Sequence, residues 1–321
     1  MLLTNTLATS RTSSAESILA GTGLVDQVSY YPGGKSGLKQ IRDLMALMRD
    51  LKPAALIYLA DRLDAASVYR DLCFFKAAGV PKILGLPGTK RLRVAQFDPA
   101  TGELEYEVVR LARTLEGVMP VRLLPEDWDL HLSASELAKA DAALRMADRT
   151  PPMLALAPGA RVSEKDWGVE NWIKLVTTLA PLFPAMTLVT VGGPDERALC
   201  DQVVAGWRGP VRNLCGDLTP RETAAVLRHC RLMVCHDSGP MHLAASQQLP
   251  VVALFGNYNL PHRWYPFGAG HSVIYQPRGI RQISVAQVAA KVQRALNDSA
   301  LRQQQVPGSF RLSLSIPGAC I

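Results

Sequence analysis

The sequence predicts an α/β protein built from two Rossmann-like halves. Short apolar strands alternate along the chain with amphipathic helices, a pattern typical of parallel sheets covered by helices. The chain has 321 residues, enough for about two domains at roughly 150 residues each. Arg149-Thr150 is followed by Pro151-Pro152, which cannot continue a helix. We therefore expect a first domain over 1–150, a second over 151–305 and a tail over 306–321.

In the first half, apolar runs and helical spacings are separated by turn residues. The region 120–132 has neither pattern, and we expect it to be irregular. The predicted strands are 2–6, 25–31, 54–59 and 83–85, and the predicted helices are 14–20, 38–51, 65–78, 105–115 and 133–147.

The second half has a clearer pattern. Asp195 and Glu196 follow Gly192-Gly193-Pro194 and complement the positive end of a helix. Thr219 precedes Pro220, which suits a helix cap with proline at the first helical position. The predicted strands are 153–157, 187–191, 232–235 and 251–255, and the predicted helices are 169–182, one after 194, one after 219, one ending at 246 and one over 285–296.

Composition narrows the class of protein. Six cysteines occur without a CxxC pair, which indicates reduced and mostly buried thiols. The net charge is 35 − 28 = +7 and is spread without a dense basic run, so nucleic acid is not an expected partner. No apolar run approaches the roughly 18 residues of a membrane span, and no signal peptide is evident. We expect a cytoplasmic protein, with peripheral contact to the inner membrane face as an option.

The strongest local signal is the strand, loop and helix over 232–246. Asp237 or Ser238 suits a helix cap, Pro240 suits the first turn, and Gly239 permits close backbone approach to a ligand. A helix start beyond the carboxyl end of a strand binds phosphate readily, and His242 would lie near it. The alternative is a capped core helix with a surface histidine.

Two more loops follow predicted strands. The loop over 158–165 brings Arg161 and Lys165 to the same sheet edge, where two cations would balance a diphosphate. After Gly192-Gly193-Pro194, a carboxylate would hold ribose hydroxyls or simply complement the helix dipole. Each loop alone also fits a solvated surface loop, so the prediction depends on all three converging.

Four stretches resemble the C-terminal domain of glycosyltransferase family nine, the ADP-heptose:lipopolysaccharide heptosyltransferases. They stand in the family's order across residues 154–268: Ala157-Pro158-Gly159-Ala160 with Lys165-Asp166-Trp167 and Trp172, Gly192-Gly193-Pro194-Asp195-Glu196, Asp237-Ser238-Gly239-Pro240-Met241-His242-Leu243-Ala244, and Leu254-Phe255-Gly256.

The resemblance implies a GT-B fold with the acceptor on the first domain and the sugar nucleotide on the second. It implies an inverting, metal-independent enzyme without a cofactor, acting on an ADP-heptose-like donor and a lipopolysaccharide-type glycan acceptor. Lys165 would bind the donor phosphates, and Glu196 or Asp195 would contact the nucleoside. Lys165, Asp237 and His242 are the expected catalytic residues. The remaining expected donor-site residues are Gly159, Ala160, Arg161, Ser238, Gly239 and Pro240.

The first half resembles the family more weakly, through 24–28, 51–59 and 77–80. The resemblance implies that the first βα unit is lacking, together with the Gly-Asp loop that supplies the family's proposed base. Asp61 and Asp64 are the nearest acids at the right sheet edge. Two alternatives therefore stay open: a nucleotide-sugar binder without turnover, and another GT-B enzyme such as a sugar-nucleotide 2-epimerase.

Several other motifs are interpreted as structural. Asp127-Trp128-Asp129 has the DxD form of metal-dependent glycosyltransferases but lies in an irregular stretch. The run 33–36 lacks the first glycine of a P-loop. His236, Asp237 and Ser238 are neighbours that cannot form a triad relay, and the histidines and cysteines over 229–242 fit core packing better than zinc.

Overall fold

The computed structural model describes residues 1–6, 13–32, 37–59, 64–99, 102–146 and 151–304. The run 33–36, Asp61, the residues Arg149-Thr150 at the expected domain boundary and the expected tail over 306–321 lie outside these ranges.

Small sheets and helices make up the first half. β1 pairs with β2 and β3 with β4 in parallel, whereas β5 and β6 form an antiparallel hairpin. The elements are β1 (Leu2–Thr6), α1 (Ala15–Leu19), β2 (Val28–Pro32), α2 (Leu38–Leu51), β3 (Leu56–Ile57), α3 (Ala65–Ala77), β4 (Ile83–Leu84), α4 (Lys90–Arg93), β5 (Phe97–Asp98), β6 (Glu103–Leu104), α5 (Glu107–Arg113) and α6 (Ala134–Leu144).

Helix positions in this half were predicted well, and strand lengths less well. The helix over 38–51 has the predicted bounds, whereas the strand expected over 54–59 pairs only at Leu56–Ile57. Ile57 and Leu59 are exposed, so the apolar run does not indicate a strand buried on both faces. The hairpin of β5 and β6 and the short α4 were not predicted, because neither has enough residues for a periodic pattern.

The second half contains one six-stranded parallel sheet. Its elements are β7 (Met153–Ala157), α7 (Val169–Leu179), β8 (Thr187–Thr190), α8 (Arg197–Val204), β9 (Val211–Asn213), α9 (Pro220–Leu227), β10 (Cys230–His236), α10 (Gly239–Ser246), β11 (Val251–Phe255), β12 (Ser272–Tyr275) and α11 (Val285–Gln304). The expected helix over 169–182 ends at Leu179, because Pro181 lacks the N–H that would continue it. The last helix runs past 296 to Gln304.

Strand order in this sheet is β12-β11-β10-β7-β8-β9. The chain builds one side outward from β7, then returns to β10 and builds the other side. This is the Rossmann order, and its switch point lies between β7 and β10. Ligands in such sheets bind beyond the carboxyl ends of the strands at that point.

Both faces of the sheet are covered. Leu154 and Leu156 face a cluster that includes Trp167 and Trp172, with helices α7, α8 and α11. The alternate residues of β7 face a second cluster formed with α6, α9 and α10. All five residues of β7 are therefore buried, which explains why this strand was predicted from a continuous apolar run.

The core of the second half includes a helix from before the expected boundary. Ala140 and Leu144 of α6 are buried in the cluster that contains α9. Arg221 on α9 donates to Glu136 on α6 at 2.5 Å. The boundary at 150 stays a prediction. The hydrophobic core of the second half nevertheless includes residues of α6, which precedes this boundary.

None of the helices in the described ranges has the length and apolar character needed to cross a membrane.

Candidate functional site

The loops that follow β7 and β10 meet at the switch point of the sheet. Lys165 and Asp237 lie in these two loops, and the Lys165 Nζ is 2.7 Å from the Asp237 Oδ2. The two side chains are only 20% and 9% exposed, so the ion pair is largely withdrawn from water. The structure thus joins two residues that the sequence predicted as partners in one site.

Two residues of the segment after β11 complete this pair. Asn259 Nδ2 donates to Asp237 Oδ2 at 2.5 Å. The Tyr258 ring lies under the Lys165 ammonium, 4.9 Å from Nζ to the ring centroid, a cation–π contact. Sequence reasoning missed both residues, because nothing in the run after Gly256 marks a return to the β10 edge.

The start of α10 differs from the expected cap. Ser238 is the N-cap residue, but its side chain makes no capping hydrogen bond. Its hydroxyl donates to the His236 carbonyl at 3.3 Å, and the Asp237 carboxylate is engaged by Lys165 and Asn259. Ser238 therefore occupies the predicted N-cap position, but the capping hydrogen bond expected from Ser238 or Asp237 is not formed. Ser238 and Asp237 thus leave the first N–H groups of α10 for another acceptor, which suits an anion.

Gly239 and Pro240 form the first turn of α10, as expected. A Cβ built at Gly239 would meet nothing within 4 Å, so the space above this backbone is open. Close approach of a ligand is sterically free there.

His242 lies on the first turn and faces the Lys165 and Asp237 charges. The residue is exposed to solvent, but the protein packed around it lowers the pKa of the imidazole by reducing its hydration. Asp237 raises this pKa and Lys165 lowers it, and the net direction is downward. A neutral imidazole is therefore favoured, which keeps one N–H for donation to an oxygen.

The third predicted loop also reaches this edge. The Glu196 carboxylate folds back over Gly159 and Gly192, where a Cβ at either glycine would overlap it. Gly193 N donates to Glu196 Oε2 at 2.8 Å. Burial raises the pKa of Glu196, which the Gly193 hydrogen bond and the nearby Arg161 charge oppose. Glu196 is thereby placed against the β7 loop that carries Lys165.

The remaining residues of the β7 loop differ in exposure. Arg161 and Asp195 are exposed, whereas Gly159 is buried and Ala160 is half-buried. Glu196 rather than Asp195 faces the loop. The structure thus brings together Gly159, Glu196, Lys165, Asp237 and His242, with Arg161 at the rim.

His236, interpreted from sequence as core packing, contacts this loop directly. It is fully buried, and its Nε2 accepts hydrogen bonds from Trp167 N at 3.1 Å and Trp172 Nε1 at 3.3 Å. Its Nδ1 lies 3.2 Å from the Gly159 carbonyl oxygen. Burial lowers the pKa of His236 to about 4. The sequence offered only its position before Asp237 as a signal.

The acids considered elsewhere are engaged in local turns. Asp64 Oδ1 accepts from Ser67 N at 2.7 Å as the cap of α3, and this bond lowers its pKa. Asp127 accepts from Leu124 N, and Asp129 accepts from His131 N. Within the described ranges no group of three or more His, Cys, Asp or Glu residues is arranged to hold a metal ion.

Comparison with known proteins identifies the family of this chain. Residues 46–287 match the family model of glycosyltransferase family 9 (heptosyltransferase). The lipooligosaccharide heptosyltransferase 2 of Campylobacter jejuni is 32% identical over 108 residues. That segment is 32% of this chain and 33% of the relative, so the chain spans about a third of the length of this curated relative.

Solved structures confirm the fold. A glycosyltransferase family 9 structure from Veillonella parvula superposes with a TM-score of 0.62 at 18% identity, covering 88% of this chain and 86% of that one. The Escherichia coli ADP-heptose lipopolysaccharide heptosyltransferase II gives 0.59 at 19% identity, with coverage of 86% and 85%. At these identities the likeness concerns the fold alone, which is GT-B-like as the resemblance implied.

Proposed function

Because the chain belongs to glycosyltransferase family 9, we propose that it transfers a heptose or similar sugar from an ADP-sugar to a hydroxyl of a lipopolysaccharide-type acceptor. The observation that supports this best is the Lys165–Asp237 pair, 2.7 Å apart, beside the start of α10. An ammonium and a helix start at a Rossmann switch point form a site for a diphosphate.

The proposed reaction forms a bond between the acceptor oxygen and the anomeric carbon. The bond from that carbon to the diphosphate oxygen breaks, and the nucleoside diphosphate leaves with the electron pair. The acceptor hydroxyl loses its proton to a general base or to water. Lys165 and the α10 N–H groups would stabilise the charge that develops on the phosphate oxygens. The neutral His242 would donate to the same oxygens. Inversion at the anomeric carbon and independence of metal are part of the proposal.

Glu196 and Asp237 have separate proposed roles. Glu196, held against Gly159 and Gly192, is positioned to accept hydrogen bonds from ribose hydroxyls. Asp237 holds the ammonium of Lys165 through Oδ2, and we propose that it thereby positions this ammonium for the donor phosphates. Arg161 at the rim, with Ala160 and Gly159 in the loop, would line the path of the nucleotide.

Lys165→Ala tests the assignment. A hydrogen bond to a charged group contributes about 1.5–3 kcal/mol, so kcat/KM for sugar transfer should fall about tenfold to a hundredfold. Lys174→Ala is the matched control, because Lys174 is exposed on α7 away from this edge. Steady-state transfer from ADP-heptose to a lipopolysaccharide core acceptor measures both variants. An unchanged kcat/KM in Lys165→Ala would overturn the assignment.

Two assays separate this function from its alternatives. A nucleotide-sugar binder would bind ADP-heptose by calorimetry and give no glycosylated product. A sugar-nucleotide 2-epimerase would release a rearranged sugar without any acceptor. We expect product only when donor and acceptor are both supplied. Peripheral contact with a membrane that carries the acceptor remains a prediction, checked by co-sedimentation with anionic vesicles.

A further inference from the structure

His236 is joined to both ends of the loop that carries Lys165. Gly159, at the start of the loop, contacts Nδ1 through its carbonyl oxygen at 3.2 Å. Trp167, two residues beyond Lys165, donates its backbone N–H to Nε2 at 3.1 Å. One imidazole therefore closes the loop over 159–167 onto the last residue of β10.

The hydrogen-bond partners determine the tautomer. The Trp167 N–H and the Trp172 indole N–H are donors only, so Nε2 must be an unprotonated acceptor. The ring proton then lies on Nδ1 and is donated to the Gly159 carbonyl oxygen. The two indoles pack edge-on, with Trp172 5.2 Å from the His236 ring and 5.1 Å from the Trp167 ring. The imidazole is thus held in one orientation by contacts on three sides.

We infer that His236 is a positioning residue for Lys165: it fixes the β7 loop so that the ammonium reaches the phosphate site beside Asp237. The inference rests on the proposed function, which supplies the diphosphate. Asp237 follows His236 directly, so one backbone unit orients both the carboxylate and the loop that delivers its ammonium partner. Without the His236 contacts, the loop that carries Lys165 would have to become ordered when the ligand binds, and the entropy lost in this ordering would weaken binding.

Two amide substitutions of His236 separate its contact with Gly159 from its contacts with Trp167 and Trp172. In His236→Gln, the amide oxygen reaches the place of Nε2 and accepts from Trp167 N. In His236→Asn, the shorter amide donates to the Gly159 carbonyl oxygen but does not reach the tryptophans. Lys165 is closer in sequence to Trp167 than to Gly159. We therefore expect His236→Asn, which loses the contact with Trp167, to weaken ADP binding, and His236→Gln, which keeps it, to bind ADP as the wild type does. His229→Asn, at a partly exposed histidine paired with Asp141, is the matched control.

Calorimetry with ADP on the full chain tests the inference as a cycle with Lys165→Ala. The loss of one hydrogen bond should lower ADP affinity about threefold to tenfold in His236→Asn. His236→Gln and His229→Asn should stay within about twofold. In the Lys165→Ala background, His236→Asn should change affinity by less than about twofold, because the group being positioned is absent. An equal loss in both backgrounds would indicate a merely structural role and overturn the inference alone.

Limited trypsin digestion provides a readout that does not depend on the ligand. Release of the loop should speed cleavage after Arg161 or Lys165 in His236→Asn, identified by mass spectrometry, and not in His236→Gln. Equal cleavage in wild type and His236→Asn would overturn the anchor. A wild-type chain that binds no ADP would overturn the proposed function and, with it, the positioning role. The titration of the wild type therefore distinguishes this failure from a failure of the inference alone.

Discussion

Gly159 is the residue at which a single methyl group should disturb the site most directly. A Cβ there would overlap the Glu196 carboxylate. In Gly159→Ala the carboxylate must move and lose its hydrogen bond from Gly193 N. We expect ADP affinity to fall about threefold to tenfold, the equivalent of one hydrogen bond, with only a small change in Tm because the displaced group is the end of a flexible side chain.

Gly88→Ala is the control for this prediction. A Cβ at Gly88 meets nothing within 4 Å, and its φ is outside the left-handed region. Calorimetry with ADP and thermal unfolding should be unchanged in this variant. Wild-type ADP affinity in Gly159→Ala would exclude Glu196 from the nucleotide site.

His236 should make the fold sensitive to mild acid. Burial lowers its pKa from 6.5 to about 4, so the unfolded chain binds the proton more readily between these values. Stability should therefore decline as pH falls from about 6.5 to 4, by about 3 kcal/mol from this group. The measurement is urea unfolding at several pH values, in which His236→Gln should lack this share of the decline. Parallel pH profiles for the two proteins would contradict it.

The sequence predicted the charged residues of the site but not those that orient them. Lys165 and Asp237 follow strand ends, and strand ends can be located from apolar runs. His236, Tyr258 and Asn259 act through contacts between distant segments; His236 and Trp167, for example, are 69 positions apart. No local sequence pattern predicts such a contact. The sequence therefore supported only the interpretation that His236 packs in the core.

At the scale of elements, the two helix starts predicted with caps differ. Thr219 caps α9: its side chain accepts from Glu222 N, and the Glu222 carboxylate accepts from Thr219 N at 2.7 Å. Ser238 does not cap α10. Threonine and serine are both preferred N-cap residues. This preference cannot distinguish a helix start with a side-chain capping bond from one whose first N–H groups have no such bond.

This difference predicts two unequal substitutions. Thr219→Ala removes the cap of α9 and should lower the free energy of unfolding by about 1 kcal/mol. Ser238→Ala removes no cap and should change it by less than about 0.5 kcal/mol. Urea unfolding of the two variants measures both values. Equal losses would show that Ser238 does cap α10 in solution.

Strand prediction depended on burial. β7 and β11 were predicted with the bounds they have, because every residue in each is buried and their sequences are continuous apolar runs. β9 and β12, at the two edges of the sheet, are half-buried throughout. Their mixed polarity resembles that of loops, so they were missed even though the parallel architecture was recognised.

At the scale of the whole molecule, Arg221 connects α9 with segments from the first half. Its guanidinium donates to the carbonyl oxygens of Ile18, Leu130 and His131, and to the Glu136 carboxylate. The side chain is 7% exposed. The boundary predicted from Pro151-Pro152 does not predict such a contact. Prolines indicate where a helix ends, and they do not indicate where a hydrophobic core ends.

Arg221→Ala should therefore destabilise the molecule strongly. It removes the ionic partner of the Glu136 carboxylate, which keeps its hydrogen bonds from the Ser133 N–H and hydroxyl, and it removes the Arg221 donors to three carbonyl oxygens. Removal of one partner from a buried pair costs about 3–5 kcal/mol. Because the Glu136 side chain is 18% exposed, water recovers part of this, and we expect about 2–4 kcal/mol. Arg228→Ala, at an exposed arginine just after the same helix, should change stability by less than about 0.5 kcal/mol.

The pH dependence of this variant identifies the cause of its loss. Hydrogen bonds from Arg221, and to a smaller extent from Ser133, lower the pKa of Glu136 from 4.5 to about 2. The stability that the Arg221 contact contributes is therefore present above about 4.5 and declines as pH falls toward 2. Urea unfolding should show that the gap between wild type and Arg221→Ala narrows as pH falls through this window. A gap that stays constant would mean that the lost carbonyl contacts, and not the ion pair, account for the destabilisation of Arg221→Ala.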